Sequence, residues 1–99
     1  MEKAEKRWPE TVDEAVDWLM SDISAKDKRV IRKMKKDSLI DLRMDLGLFI
    51  SNFYGLWSGN KKLLSSCHQI KGPHRRIGPE KASMTIIETL WERLQIMVY

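Results

Sequence analysis

Hydrophobic residues recur every three or four positions along most of this chain, a spacing that predicts α-helices. A first helix is predicted from Val12, and its apolar positions continue to Ile23. Thr11 and Glu14 form a capping-box pattern at its start, in which the threonine side chain satisfies a free backbone N–H. No segment alternates with a period of two, so no β-sheet is predicted.

A second helix is predicted after Ser24, which is followed three positions later by an acidic residue. One side of this helix is apolar, and the other carries cations at spacing i, i+3, i+4 and i+7. We call these cations the basic stripe: Arg29, Arg32, Lys33 and Lys36. Such a stripe can bind phosphate groups, but an ordinary solvated helix face looks the same.

The longest apolar stripe predicts a third helix, which begins at Asp37-Ser38. Met44 and Leu48 lie nearly opposite the stripe, and a helix that is apolar on two faces is usually buried. We therefore expect a central helix, which Gly47 lets another helix approach closely. The stripe consists of Leu39, Leu42, Leu46, Phe49, Ile50, Phe53 and Trp57.

The segment 55–60 predicts a corner between two helices. Gly59 suits the left-handed conformation that ends a helix, and Asn60 suits the N-cap of the next. Trp57 is either the anchor of a partner-binding loop or a core side chain. We favour the core interpretation, because capping and packing account for every residue type in the segment.

Two further helices complete the prediction. The fourth has Leu63, Leu64 and Cys67 on its apolar side, and a loop follows from Lys71 to Gly78. Pro79 suits the first position of the fifth helix. The positions that the fifth helix is expected to bury are Ser83, Met84, Ile87, Leu90, Trp91, Leu94 and Val98.

The predicted fold is a compact all-α bundle of about five helices, a single domain at residues 8–99 that follows a frayed tail at residues 1–7. The third and fifth helices should form its centre, with the first and fourth packed on them. Trp57 and Trp91 should be largely buried, and Trp8 and Trp18 should lie at the rim of the core.

Composition narrows the class of protein. The 99 residues carry a net charge of +4, a bias that permits an anionic partner without requiring one. Cys67 is the only cysteine, and no apolar run is long enough for a membrane span. We expect a cytoplasmic protein that does not bind membranes.

Several short motifs between Pro9 and Leu94 resemble a family of small bacterial helical proteins of unknown function. The most specific is the block 50–60, which ends Gly55-Leu56-Trp57-Ser58-Gly59-Asn60. The others are Pro9-Glu10-Thr11, Glu14-Ala15, Leu46-Gly47, Leu63-Leu64, the run 79–83, Ile86-Ile87, Leu90-Trp91 and Leu94. The resemblance implies a helical fold and no particular reaction.

Three places depart from that family's pattern. Family members tend to have an arginine in place of Ser51 and histidines in place of Met44 and Asp45. They also tend to have a His-Pro-acid-acid run where residues 78–81 stand. The resemblance implies that any polar site built from those side chains is lost here.

Candidate catalytic and metal-binding residues are few. Cys67 and His68 are adjacent, with His74 nearby, but neighbours on a helix point about 100° apart. A zinc site needs about four ligands. Asp41 and Asp45 are spaced to share a face, yet one pair is too few for a hard cation. We expect no cofactor, no metal and no enzymatic activity.

The leading functional hypothesis is a non-enzymatic protein that acts through a protein partner or through self-association. Its candidate interface is the apolar chain end, represented by Ile96 and Tyr99. The alternative is binding of nucleic acid or another polyanion. That alternative relies on the basic stripe and on the Lys71–Arg76 loop, with Arg75 and Arg76.

Overall fold

The fold was analysed in a computed structural model, which describes residues 8–72 and 77–96. These ranges contain five α-helices and no β-strand: α1 (Val12–Asp22), α2 (Ala25–Lys33), α3 (Leu48–Phe53), α4 (Lys61–Lys71) and α5 (Pro79–Ile96). The radius of gyration, 13.0 Å, is that of a compact domain of this size. The predicted all-α bundle is confirmed, whereas the predicted tail at residues 1–7 lies outside the described residues.

Helix starts agree with the capping residues in the sequence. The Thr11 side chain accepts a hydrogen bond from Glu14 N, and the Ser24 side chain accepts one from Asp27 N. The Glu14 carboxylate in turn accepts from Glu10 N at 2.8 Å. The bonds to Thr11 and Ser24 satisfy backbone donors that a helix start otherwise leaves free, and they fix where α1 and α2 begin.

The centre of the bundle is α5. It packs against α1, α2, α3 and α4, and also against the segment that precedes α3. Its first three turns are buried on most sides, at Ala82, Ser83, Thr85, Ile86, Ile87 and Leu90. The core that α5 shares with α1 and α4 includes Val16, Leu19, Leu63 and Cys67, all fully buried. The predicted packing of the first and fourth helices on the fifth is confirmed.

The predicted third helix is a composite of three helical types. A 3₁₀-helix (Lys36–Leu42) passes into a π-helix (Arg43–Gly47) and then into α3, and we call the whole stretch the composite helix. The wide π-turn shifts the phase of every later residue relative to an unbroken α-helix. The prediction of a central helix buried on two faces is wrong, because Met44 and Leu48, on the face opposite the core, are exposed.

The predicted burial of Trp57 is also wrong, because this side chain is 60% exposed. Ile50 is buried as predicted, but Tyr54 is buried beside it in place of Phe53, which is 65% exposed. The chain then turns at Gly55, so that Leu56 is buried and Trp57 points outward.

Gly55 has a structural role that the sequence did not reveal. Its φ of 75° lies in the left-handed region that favours glycine, and the Trp8 indole lies directly on it. A Cβ at this position would lie 2.3 Å from Cε2 of Trp8. Trp8 and Trp18 are half-buried, as expected for the rim, but so is Trp91, which was expected to be largely buried.

Asn60 joins three parts of the chain. Its side-chain oxygen accepts from Leu63 N and caps α4, as predicted. Its amide also donates to the backbone oxygens of Tyr54 and Pro9, at 2.8 and 2.9 Å. Asn60 is buried, so these two further bonds fix the N-terminal segment against the corner at residues 55–60.

Candidate functional site

A cavity of about 290 Å³ lies between the composite helix and the start of α5, next to Trp57. We call it the Trp57 cavity. The composite helix and the following corner supply six of its lining residues, and α5 supplies two: Arg43, Met44, Gly47, Leu48, Ser51, Trp57, Glu80 and Ser83. A concave surface of this size accommodates a side chain or a small ligand.

Small side chains line the buried part of this cavity. Ser51 and Ser83 are 3% and 2% exposed, and Gly47 is buried between the composite helix and α5. The Ser83 hydroxyl donates to the backbone oxygen of Glu80. The Ser51 hydroxyl has no partner among the described residues, so it remains able to bond an occupant. Gly47 packs against Ser83, although a Cβ there would make an ordinary contact at 3.5 Å.

Large apolar side chains form the rim of the Trp57 cavity. Met44 is 64% exposed, Leu48 45% and Trp57 60%. Soluble proteins rarely leave several large apolar groups exposed around a single concavity unless that surface contacts something. Arg43 and Glu80 add one charge of each sign at the edge. The cavity therefore combines apolar contact area with a few polar groups that can fix orientation.

Two of the positions expected to depart from the pattern of the resembled family line this cavity. They are Met44 and Ser51, which lie on the composite helix. Sequence reasoning missed the site because it expected Met44, Leu48 and Trp57 to be buried. The available signal was the second apolar face of the composite helix, which was interpreted as a core surface.

The basic stripe is shorter than predicted. Arg29, Arg32 and Lys33 lie on α2, but α2 ends at Lys33 and the chain is extended at Met34 and Lys35. Lys36 therefore does not continue the stripe, and its amine lies 4.0 Å from the Glu92 carboxylate of α5. The prediction that Lys36 belongs to the basic stripe is therefore wrong.

The other predicted binding residues lie at the limits of the described chain. Ile96 is the last residue of α5 and is 81% exposed. Tyr99, Arg75 and Arg76 lie outside the described residues, as do His74 and most of the Lys71–Arg76 loop. A role for Ile96 as an interface residue stays a prediction.

The candidate catalytic residues are not assembled for chemistry. The Cys67 thiol is fully buried and donates to the backbone oxygen of Ala82 at 3.5 Å. Burial raises the pKa of this thiol to about 12, which keeps it protonated near neutral pH. Within residues 8–72 and 77–96, no three His, Cys, Asp or Glu side chains are grouped closely enough to hold a metal ion.

Tyr54 is the other buried group with a shifted pKa. Burial raises the pKa of its phenol well above the usual range, and the nearby Asp22 carboxylate raises it further. Its hydroxyl is buried without a hydrogen-bond partner among the described residues, although its ring packs edge-on against Trp18 and Phe49. The Tyr54 hydroxyl therefore stays neutral in the folded protein.

Comparison with known sequences identifies a family whose function is unknown. The sequence profile of a family described as a domain of unknown function (DUF6794) matches residues 8–94. Neither the search of curated proteins nor the search of solved structures gave a significant match. Among the described helices, none has both the length and the apolar character needed to cross a bilayer.

Proposed function

The chain belongs to this family of unknown function, and we propose from its geometry that it is a non-enzymatic module that binds a protein partner at the Trp57 cavity. The observation that carries the proposal is the exposure of Met44, Leu48 and Trp57 around a cavity with buried serines. The partner places an apolar side chain in the cavity and a polar group near the Ser51 hydroxyl.

The residue types at this rim match those that dominate protein interfaces. Tryptophan is enriched among residues whose truncation costs 2 kcal/mol or more of binding free energy, and methionine is enriched at interface cores. Trp57 presents a large rigid surface whose ordering costs little conformational entropy. Much of that surface is exposed, so a partner can remove it from water.

The test is capture of a partner from native lysate, followed by titration of the purified partner with two variants. Trp57→Ala should weaken binding by roughly 30-fold or more, which corresponds to about 2 kcal/mol. Ile70→Ala is the matched control, because Ile70 is 55% exposed on α4 and does not line the cavity. Its effect should be within about two-fold. Equal affinities for Trp57→Ala and Ile70→Ala contradict the proposal.

The non-enzymatic part of the proposal is supported by the state of Cys67. A thiol with a pKa of about 12 and no accessible surface is a poor nucleophile. The described residues that line the Trp57 cavity also include no histidine or cysteine, so they offer none of the usual pairs of nucleophile and base.

Polyanion binding is a second candidate, favoured by one observation. Arg29 and Lys33 are exposed on α2, and neither forms an ion pair within the described part of the chain. Cations that are not neutralised by the protein can contact phosphates. Arg29→Glu together with Lys33→Glu should abolish binding to a nucleic-acid duplex, and that binding should weaken steeply with salt. Binding that is insensitive to salt would exclude this function.

A further inference from the structure

A second concavity lies on another side of the composite helix, facing α2. It has a volume of about 360 Å³, and we call it the acidic groove. Its apolar lining comes from the end of α1, from α2 and from the composite helix: Ile23, Val30, Ile31, Leu42, Leu46 and Phe49. Two carboxylates, those of Asp27 and Asp45, also line the groove.

The two acids come from separate elements of the fold. Asp27 lies in the first turn of α2, and Asp45 lies in the π-turn of the composite helix. Both side chains are exposed, and neither forms an ion pair within residues 8–72 and 77–96. Lys26 and Lys28 flank Asp27 in sequence, but adjacent helical residues point about 100° away, and neither lysine lines the groove. Among the described residues that line the groove, Asp27 and Asp45 are the charged ones, although α2 carries several cations outside it.

Apolar surface continues beyond the groove. The ring of Phe49 packs on that of Phe53, with centroids 4.9 Å apart, and Phe53 is 65% exposed. Val30 is 54% exposed on the facing wall. An occupant of the groove can therefore bury apolar surface at its base and at its outer end.

The π-turn of the composite helix contributes residues to both concavities. Asp45 and Leu46 line the acidic groove, and Arg43, Met44 and Gly47 line the Trp57 cavity. π-Turns inside helices occur frequently at functional sites.

We propose that the acidic groove binds a segment of a partner protein in which an apolar side chain is flanked by lysine or arginine. The apolar side chain packs on Leu46 and Phe49, and the flanking cations pair with Asp27 and Asp45. Carboxylates that lie beside an apolar concavity select this chemistry, because an acidic segment would place like charges together. Two carboxylates supply too few oxygens for a hard cation, which removes metal binding as the explanation. The inference does not depend on the Trp57 cavity.

The test is selection of random peptides displayed on phage against the full chain, followed by titration of the enriched peptides. Enriched peptides should carry a lysine or arginine close to a large apolar residue. Asp27→Asn combined with Asp45→Asn should weaken their binding by roughly three- to ten-fold, as expected for two partly exposed ion pairs. The matched control is Asp37→Asn combined with Asp41→Asn, which removes the same charge from exposed positions outside the groove.

A second variant tests the apolar part of the groove. Val30→Lys places a cation on the groove wall three residues after Asp27, so it should compete with the cation of the peptide and abolish binding. Thermal unfolding of each variant separates lost binding from lost folding. The proposal is overturned if selection yields no binder, if the enriched peptides are acidic, or if they bind the Asp27/Asp45 variant as tightly as the control. If Trp57→Ala is the only variant that abolishes binding, the peptides bind at the Trp57 cavity, and the proposal is overturned as well.

Discussion

Replacing Gly55 with alanine should destabilise this protein far more than the same change at Gly59. Both glycines have positive φ, 75° and 101°, so both substitutions carry the cost of a left-handed alanine, roughly 1–2 kcal/mol. Only Gly55 lies beneath another side chain, and its new Cβ would meet the Trp8 indole at 2.3 Å. Nothing lies within 4 Å of a Cβ at Gly59.

The magnitude of the difference follows from what Trp8 must do. Either the indole and the backbone shift to relieve the overlap, or the indole leaves its half-buried place, and each response costs roughly 1–3 kcal/mol. Gly55→Ala should therefore cost about 2–5 kcal/mol in total, and Gly59→Ala about 1–2 kcal/mol. Against a free energy of unfolding of about 5–15 kcal/mol, the first change removes a large part of the stability.

Urea unfolding followed by circular dichroism measures both variants. A double-mutant cycle with Trp8→Ala then isolates the contact: in the Trp8→Ala background, the cost of Gly55→Ala should fall to that of Gly59→Ala. The reasoning is refuted if the two glycine variants unfold at the same urea concentration. It is also refuted if removing the indole leaves the cost of Gly55→Ala unchanged.

Two further predictions concern buried polar groups. Asn60→Ala should lower the free energy of unfolding in urea by about 2–4 kcal/mol, because the cap of α4 and two buried hydrogen bonds are lost. Asn52 is exposed, so the control Asn52→Ala should change this free energy by less than about 0.5 kcal/mol. Asn60→Asp keeps the cap but sets a carboxylate against two carbonyl oxygens, so near-normal stability would contradict the assigned bonds. The raised pKa of Cys67 predicts that stability, complete below pH 9, declines towards pH 12, because the unfolded thiol ionises first. Unfolding near pH 10 should show a loss of roughly 1 kcal/mol that Cys67→Ala largely removes, and the raised pKa of Tyr54 accounts for a smaller remainder. An equally large loss in this variant would exclude the thiol as its cause.

The parts of the fold that depend on neighbouring residues could be predicted from the sequence. Thr11, Ser24 and Asn60 cap helices through bonds to residues three positions later, and such bonds require only a short polar side chain. The buried face of α5 could also be predicted, because in an unbroken α-helix the apolar residues that recur every three or four positions lie on one side. Long-range bonds such as that from Asn60 to Pro9 carry no local signal.

The candidate surfaces were not predicted, because apolar residues on two faces of the composite helix were interpreted as core. Met44, Leu48 and Trp57 were expected to be buried and are exposed. The π-turn at Arg43–Gly47 also breaks the period of 3.6 residues per turn that the prediction assumed. The position of Asp27 and Asp45 on one groove also required the packing of α2 and of the composite helix on α5, which no spacing within either segment encodes.

The central position of α5 has a consequence for synthesis of the protein in the cell. Every other helix packs on α5, yet α5 is the last of them in the chain. At 5–20 residues per second, α1 is complete roughly 3–11 s before the first residue of α5 is added. During that interval Val16 and Leu19 lack the α5 surface that covers them in the folded protein. The bundle can therefore close only after α5 has emerged from the ribosome.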